Sequence, residues 1–163
     1  MKRLSSVLAL LAGLAATALV HAQAFPTKPI MLVVPFAAGS GTDAVARAVA
    51  SQLQERLKQP VIVDNKAGAN AQIAAQYVAR AAPDGYTLLM TTNTSHSANP
   101  SLVLNLKYDP IKDFTPIARV GELPFALAVH PSVPAKTLGE LLDYARANPG
   151  KLSYATPNST SLV

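Results

Sequence analysis

The sequence has no cysteine among its 163 residues. That absence excludes a disulfide framework, a thiolate metal site, a cysteine nucleophile and an acceptor for a lipoprotein anchor. Histidine is scarce as well. His96 and His130 have no second histidine at ligand spacing and no nearby carboxylate pair, which argues against a metal centre. Neither a G-x-S-x-G elbow nor an H-E-x-x-H pair occurs, so the usual hydrolase signatures are missing. Only 14% of the residues are charged, with a formal net charge of +5, and they form no basic run with interleaved aromatics. Nucleic-acid binding is therefore not expected. Internal repeats are absent, as are low-complexity stretches beyond the N-terminal segment.

That segment sets the expected compartment. Lys2 and Arg3 precede an uncharged run over residues 4–20, and small-residue sites follow at Val20-His21-Ala22 and Ala22-Gln23-Ala24. This pattern predicts a secretory signal peptide over residues 1–24, cleaved after Ala22 or Ala24. The competing reading, a transmembrane anchor, fits poorly with a short, Gly- and Ala-rich run that ends in a cleavage pattern. Without Lys2 and Arg3, twelve basic residues face nine acidic ones, leaving a charge of about +3. The expected product is an exported, soluble chain with no stable membrane anchor.

The richest stretch is residues 30–43. An apolar strand candidate, Ile30-Met31-Leu32-Val33-Val34, runs into Pro35-Phe36-Ala37-Ala38-Gly39-Ser40-Gly41-Thr42-Asp43 and then into a helical pattern. Glycines let the backbone approach a ligand, and the unpaired amides and positive dipole end of the helix favour a carboxylate or phosphate. Over residues 44–57, Val45, Val49, Leu53 and Leu57 recur every four residues and predict an amphipathic helix on a sheet. Gln59-Pro60 breaks it, and Val61-Ile62-Val63 reads as a second strand closed by Asp64-Asn65.

The pattern then repeats. Lys66-Ala67-Gly68-Ala69-Asn70 precedes a predicted helix over 71–81 whose buried edge should include Ile73, Ala74 and Tyr77. Pro83-Asp84-Gly85 turns the chain into a third strand over 86–90, followed by a hydroxyl-rich loop over 91–97. Three strands ending in three polar loops predict a parallel sheet whose carboxyl-end loops converge on one ligand crevice. Residues 99–114 read as irregular, with turn or cap elements at Tyr108-Asp109-Pro110 and Lys112-Asp113-Phe114. Residues 115–120, 125–129 and 151–155 read as further strands. Thr137-Leu138-Gly139-Glu140 is a capping box opening a helix with Leu138, Leu141, Leu142 and Ala145 as its apolar stripe, stopped by Asn148-Pro149-Gly150. The domain plan is a first α/β lobe over 25–124, a hinge crossing over 125–134, and the start of a second lobe over 135–163.

Several residues admit two readings. Gly39-Ser40-Gly41-Thr42-Asp43-Ala44 fits G-x-G-x-x-A, with Asp64 where a dinucleotide site places its ribose-binding acid. The long strand-to-helix connection and the export signal count against that assignment. Asp43 is either a ligand-contacting carboxylate or a first-turn acid of its own helix, and Ser40 and Thr42 are either ligand donors or caps. Asn93-Thr94-Ser95 and Asn158-Ser159-Thr160 match the glycosylation pattern but read better as ligand loops.

Taken in order, these residues resemble the solute-binding proteins of the tripartite tricarboxylate transporter family, the Bug-type periplasmic receptors of Gram-negative bacteria. The carriers are Lys28-Pro29-Ile30, Val34-Pro35-Phe36 with Gly39 and Thr42-Asp43, Val63-Asp64-Asn65-Lys66 with Gly68, Pro83-Asp84-Gly85-Tyr86-Thr87-Leu88, Asn99-Pro100-Ser101-Leu102, Tyr108-Asp109-Pro110 with Asp113-Phe114, and Asn148-Pro149-Gly150-Lys151-Leu152. The resemblance implies an α/β, type II-like periplasmic-binding-protein fold of two lobes, with the first lobe largely present and the second truncated. It implies a non-enzymatic receptor, monomeric in full-length form, that closes on a small organic carboxylate and delivers it to a membrane permease of one large and one small subunit, with no cofactor. Its ligand contacts would come from Phe36, Ala38, Gly39, Ser40, Gly41, Thr42 and Asp43, from Thr92 and Asn93, and from Asn158, Ser159 and Thr160 in a second-lobe loop. Gly39-Ser40 stands where the family commonly has Gly-Gly, and the second-lobe loop is poorer in glycine. The rival readings are a fragment without binding function and a secreted α/β enzyme or dinucleotide-binding protein.

Overall fold

The computed structural model describes residues 25–124 and 126–156. The expected signal peptide, Phe125, and the second-lobe residues Asn158, Ser159 and Thr160 lie outside the described residues.

Three strands form one parallel sheet: β1 (Ile30–Val34) in the middle, β2 (Val61–Asn65) on one side and β3 (Thr87–Leu89) on the other. The register pairs Ile30 with Val61 and Val34 with Asn65 on the β2 side, and Met31 with Thr87 and Val33 with Leu89 on the β3 side. A strand flanked and covered on both sides must be apolar throughout, and Ile30, Leu32, Val33 and Val34 are all buried. Beyond the ladder proper, Met31 N donates to Tyr86 O at 2.8 Å and Met90 N to Val33 O at 2.9 Å, so the expected strand limits 86–90 mark the full length of the pairing.

Helix α1 (Gly41–Leu57) crosses from β1 to β2, beginning three residues before the predicted 44. Its closest approach to the sheet uses Ala46 and Ala50, which join Ile30, Leu32, Val34 and Val61 in the core, with Leu53 and Leu57 packed at the edge. Small side chains let the helix axis sit near the sheet, so the predicted valines Val45 and Val49 are only half-buried. Lys58, in the left-handed conformation at φ 55°, ends the helix just before Gln59-Pro60.

After β2 comes a one-turn 3-10 segment (Ala69–Ala71) and then α2 (Gln72–Ala79). The buried residues of α2 are Ala74 and Ala75, whereas Ile73 and Tyr77 remain 48% and 43% exposed. The expected edge of Ile73 and Tyr77 is thus corrected: the left-handed turn before Gln72 sets the helix's rotation, and two alanines give the closer contact. Tyr77 instead donates its hydroxyl toward Met31 Sδ at 3.6 Å and lies under Lys66 Nζ, 4.3 Å from the ring centroid.

Of the segment predicted as a hydroxyl-rich loop after β3, Thr91 and Thr92 are irregular and the rest is helical. A π-spaced turn (Thr94–Ala98) leads directly into the short helix α3 (Asn99–Leu102). Asp109 and Asp113 act as the predicted turn elements, with Asp109 Oδ1 accepting from the Ile111 and Lys112 amides and Asp113 Oδ2 from the Asp109 amide. The strands expected over 115–120, 125–129 and 151–155 do not form among the described residues. Strand geometry needs a ladder partner for its amides and carbonyls, and the described sheet ends at β2 and β3. Ile117, Leu127 and Tyr154 are accordingly 79%, 72% and 87% exposed.

The last described element is α4 (Leu138–Ala147), whose N-cap Thr137 accepts from Glu140 N at 3.2 Å. The Glu140 carboxylate bonds the Lys136 amide at 2.7 Å, one residue before the predicted partner, so the capping box is stretched by one position. No residue of α4 is buried, and Leu138 and Leu142 of its predicted apolar stripe are exposed.

Candidate functional site

All three strands are parallel, so the loops at their carboxyl ends, residues 35–40, 66–71 and 90–93, open on the same end of the sheet. Because β1 is central, its loop lies between the other two, with neighbouring strands about 4.8 Å apart.

The first loop is held open by one buried carboxylate. Pro35 is fully buried, Phe36 half-buried, and 37–39 project outward, with Gly39 at φ +84° making the turn. Ser40 caps α1, its Oγ accepting from the Asp43 amide at 3.2 Å, while its own amide bonds Ala37 O at 3.2 Å. The Asp43 side chain reaches back under the loop: Oδ2 accepts from Gly39 N at 2.8 Å and from Arg47 Nε at 2.9 Å, and Oδ1 accepts from Asn65 Nδ2 at 2.9 Å. Asn65, at the end of β2, also donates to Phe36 O at 3.0 Å and accepts from Arg47 at 3.2 Å through Oδ1. Both hydrogens of one amide and its oxygen are used in this brace.

The electrostatics follow. The Arg47 guanidinium, the Gly39 amide and the Asn65 amide hold the Asp43 carboxyl down at about 2. At neutral pH it is ionised and matched by Arg47, and its lone pairs point into the protein. Asp43 therefore resolves as the loop's internal brace and first-turn acid. Ser40 takes the Asp43 amide, which leaves the amides of Gly41 and Thr42 at the helix start uncapped by any side chain among the described residues. That is the arrangement a carboxylate needs: uncapped amides, a helix dipole, and a neighbouring acid already neutralised.

The flanking loops add polarity and a cation. Lys66 pairs with Asp64 at 2.9 Å, which raises the lysine above its ordinary value and keeps it charged. On the β3 side Thr91 Oγ1 lies 2.7 Å from Ser95 Oγ and 2.6 Å from His96 Nδ1, while His96 packs edge-on against Phe114 with ring centroids 4.7 Å apart. Burial pushes His96 below the usual imidazole value. Thr92 is half-buried with its Oγ1 enclosed and unpartnered among the described residues, and Asn93 is exposed.

Of the expected site residues, Phe36, Gly39, Ser40 and Asp43 are knitted together by hydrogen bonds, Ala38 and Gly41 are exposed beside them, and Thr42 is buried in the first turn. Thr92 and Asn93 stand at the end of the adjacent strand. Arg47, Asn65 and Leu123 were not anticipated. Arg47 lies four residues after Asp43 on a helix, a spacing visible in the sequence. Asn65 and Leu123 come from distant segments. The Leu123 side chain lies so near Gly41 that a Cβ there would meet it at 3.6 Å, which makes Leu123 an apolar wall over the helix start.

The profile of the tripartite tricarboxylate transporter family receptor matches residues 45–163. The chain belongs to this family. It is a family of binding proteins and not of enzymes. A UPF0065 protein of Bordetella pertussis is 43% identical over 96% of the chain and 47% of its own length. Among solved structures, one described as a periplasmic transporter superposes with a TM-score of 0.76 at 41% identity, over 85% of this chain and 47% of that one. Rpa4515 of R. palustris, solved with adipate, gives 0.75 at 39% identity over 78% and 43%. MatC of Rhodopseudomonas palustris, with bound malate, gives 0.67 at 39% identity over 76% and 42%. The parallel α/β architecture is thus that of periplasmic binding proteins, and the chain spans about half the length of the relatives it matches.

Proposed function

We propose that this chain, in its full-length form, is a periplasmic receptor that captures a small organic carboxylate for a tripartite tricarboxylate-type secondary transporter. The observation that carries the reading is the first loop: the Gly41 and Thr42 amides stand uncapped by any described side chain at the start of α1, and the acid of its first turn, Asp43, is turned inward and paired with Arg47. A receptor needs no reacting group, only donors held in place before the ligand arrives, and the Asp43–Asn65 brace supplies that preorganisation. That relatives were solved with adipate and malate supports a carboxylate ligand.

In this reading residues 1–24 direct export and are removed, residues 25–124 form the first lobe, 125–134 cross to a second, and 135–163 begin it. Phe36, Ala38, Gly39, Ser40, Gly41 and Thr42 supply the first jaw, Thr92 and Asn93 its flank, and Asn158, Ser159 and Thr160 the opposing jaw. The closed, monomeric receptor then docks on a permease of one large and one small subunit. Isothermal titration of adipate, malate and a panel of di- and tricarboxylates tests it, using both the 163-residue chain and a form extended to the length of its relatives. Saturable binding of at least one by the extended form is expected; indifference to all of them sinks the proposal.

A further inference from the structure

Residues 69–71 depart from what their composition favours. Ala69, Asn70 and Ala71 all have positive φ, at 46°, 51° and 68°. The left-handed region disfavours an alanine by about tenfold, and asparagine by less. The sequence reads Ala71 as helical, so the right-handed alternative is a backward extension of α2. Gly68, at φ +123°, admits this turn because a residue with a Cβ is strained in that conformation.

Asn99 grips the turn from outside. Asn99, the first residue of α3 and fully buried, donates through Nδ2 to Asn70 O at 2.8 Å. The same nitrogen lies 3.3 Å from the Tyr108 hydroxyl, which donates to Ser95 O at 2.6 Å. Asn70 belongs to the loop after β2 and Ser95 to the turn after β3, so a buried Asn99–Tyr108 pair joins the two loops that flank the first-strand site. Burying two polar side chains costs free energy unless their bonds are made, and Asn99 Oδ1 has no partner among the described residues. A buried network with an unsatisfied acceptor, next to a left-handed turn at the carboxyl end of the sheet, is the kind of outlier that points to a role.

We propose that Asn99 is a positioning residue of the ligand face: it latches the 69–71 turn in its left-handed form and ties it to the third-strand loop, so both flanks of the carboxylate loop are held as one body. This rests on the carboxylate-receptor reading for its ligand-binding consequence, not for the latch itself. Released from Asn99, the turn relaxes toward the right-handed form, α2 gains a turn at its start, and one wall of the crevice moves.

Amide hydrogen exchange and malate titration, both followed by NMR on the 163-residue chain and on its extended form, test the latch. Asn99→Leu, close in volume and unable to donate, is expected to speed exchange of residues 68–73 and 94–98 at least about fivefold while β1 amides stay protected, and to weaken malate binding by the extended form about tenfold. Adding Ala69→Gly, at an exposed position where glycine removes the left-handed penalty, is expected to restore most of both losses. A merely structural asparagine would not be rescued at residue 69. Exchange rising equally throughout the sheet, or no recovery with Ala69→Gly, overturns the latch. Should Asn99→Leu fail to fold, Ala69→Gly alone decides: slower exchange over 68–73 supports the latch, and no change overturns it. If the extended form binds no carboxylate at all, the receptor reading falls while the exchange data still judge the latch. Malate binding unchanged in folded Asn99→Leu overturns the positioning role.

Discussion

Asn65 donates one side-chain hydrogen to the Asp43 carboxylate at 2.9 Å and the other to the Phe36 carbonyl at 3.0 Å. One residue at the end of β2 thereby fixes both the acid beneath the β1 loop and the backbone of the loop itself. The loop's shape is consequently a property of two strands and one helix together.

Asn65→Ala removes both donors and strands two acceptors. Leaving a part-buried acceptor unsatisfied costs about 1–3 kcal/mol, so a loss of stability in that range is expected from urea unfolding. Carboxylate affinity of the extended receptor should fall with it, because the loop loses its brace. Unchanged affinity alongside reduced stability would show that the loop keeps its shape without Asn65.

Acid should act through Asp43. Its folded-state value, about 2, lies below the ordinary 3.8, so the stability it contributes is present above the ordinary value and is lost as pH falls through that value toward 2. The unfolding midpoint of the native chain is expected to decline over this window. Asp43→Asn, which still accepts a hydrogen bond but does not titrate, should be less stable at neutral pH and show a shallower decline. An equally steep acid profile in the variant would assign the loss to other carboxylates.

His96 gives a second, separate pH window. Burial lowers its folded-state value, so the unfolded chain binds the proton more readily and stability should decrease as pH drops below 6.5, levelling off once the folded form also protonates. NMR titration of the imidazole against thermal unfolding from about pH 8 to about pH 5 checks this. An imidazole titrating at or above its ordinary value would contradict it.

The two glycines of the first loop should respond differently to alanine. Gly39, at φ +84° with no atom within 4 Å of a would-be Cβ, pays only for backbone strain, and Gly39→Ala is expected to cost about 1–2 kcal/mol in stability. Gly41 is helical and its Cβ would meet Leu123 at an ordinary 3.6 Å, so Gly41→Ala should fold as well as or better than the native chain. Its methyl group would nevertheless stand beside the helix-start amides and weaken carboxylate binding. Equal stability losses at both positions would show that φ is not what separates them.

Much of this was legible along the chain. The apolar run Ile30–Val34, the β-branched Val61-Ile62-Val63 and the turn Pro83-Asp84-Gly85 are short-range signals, and each lies where periodicity and turn chemistry put it, because local backbone preference and burial pattern agree there. The parallel arrangement followed from strands alternating with helices, and the helix-start loop from glycines after a strand. Residues 115–120 and 126–129 failed as strands for the opposite reason. Their β-branched residues Thr115, Ile117, Val120 and Val129 favour extension, but a strand exists only with a partner, and partnership is not written locally.

What the sequence by itself determined, then, is the βαβ order, the loop between β1 and α1 and its glycines, and the family blocks that carry the resemblance. What only tertiary structure decided is the use of polar side chains that face inward. Asp43 braces the loop from beneath because Asn65, 22 residues away, brings a donor to it, and Ala71 left the helix its sequence favours as Asn99, 29 residues beyond Asn70, holds the turn from outside. Hydrogen bonds between distant segments depend on where the chain folds back. No local propensity encodes that distance.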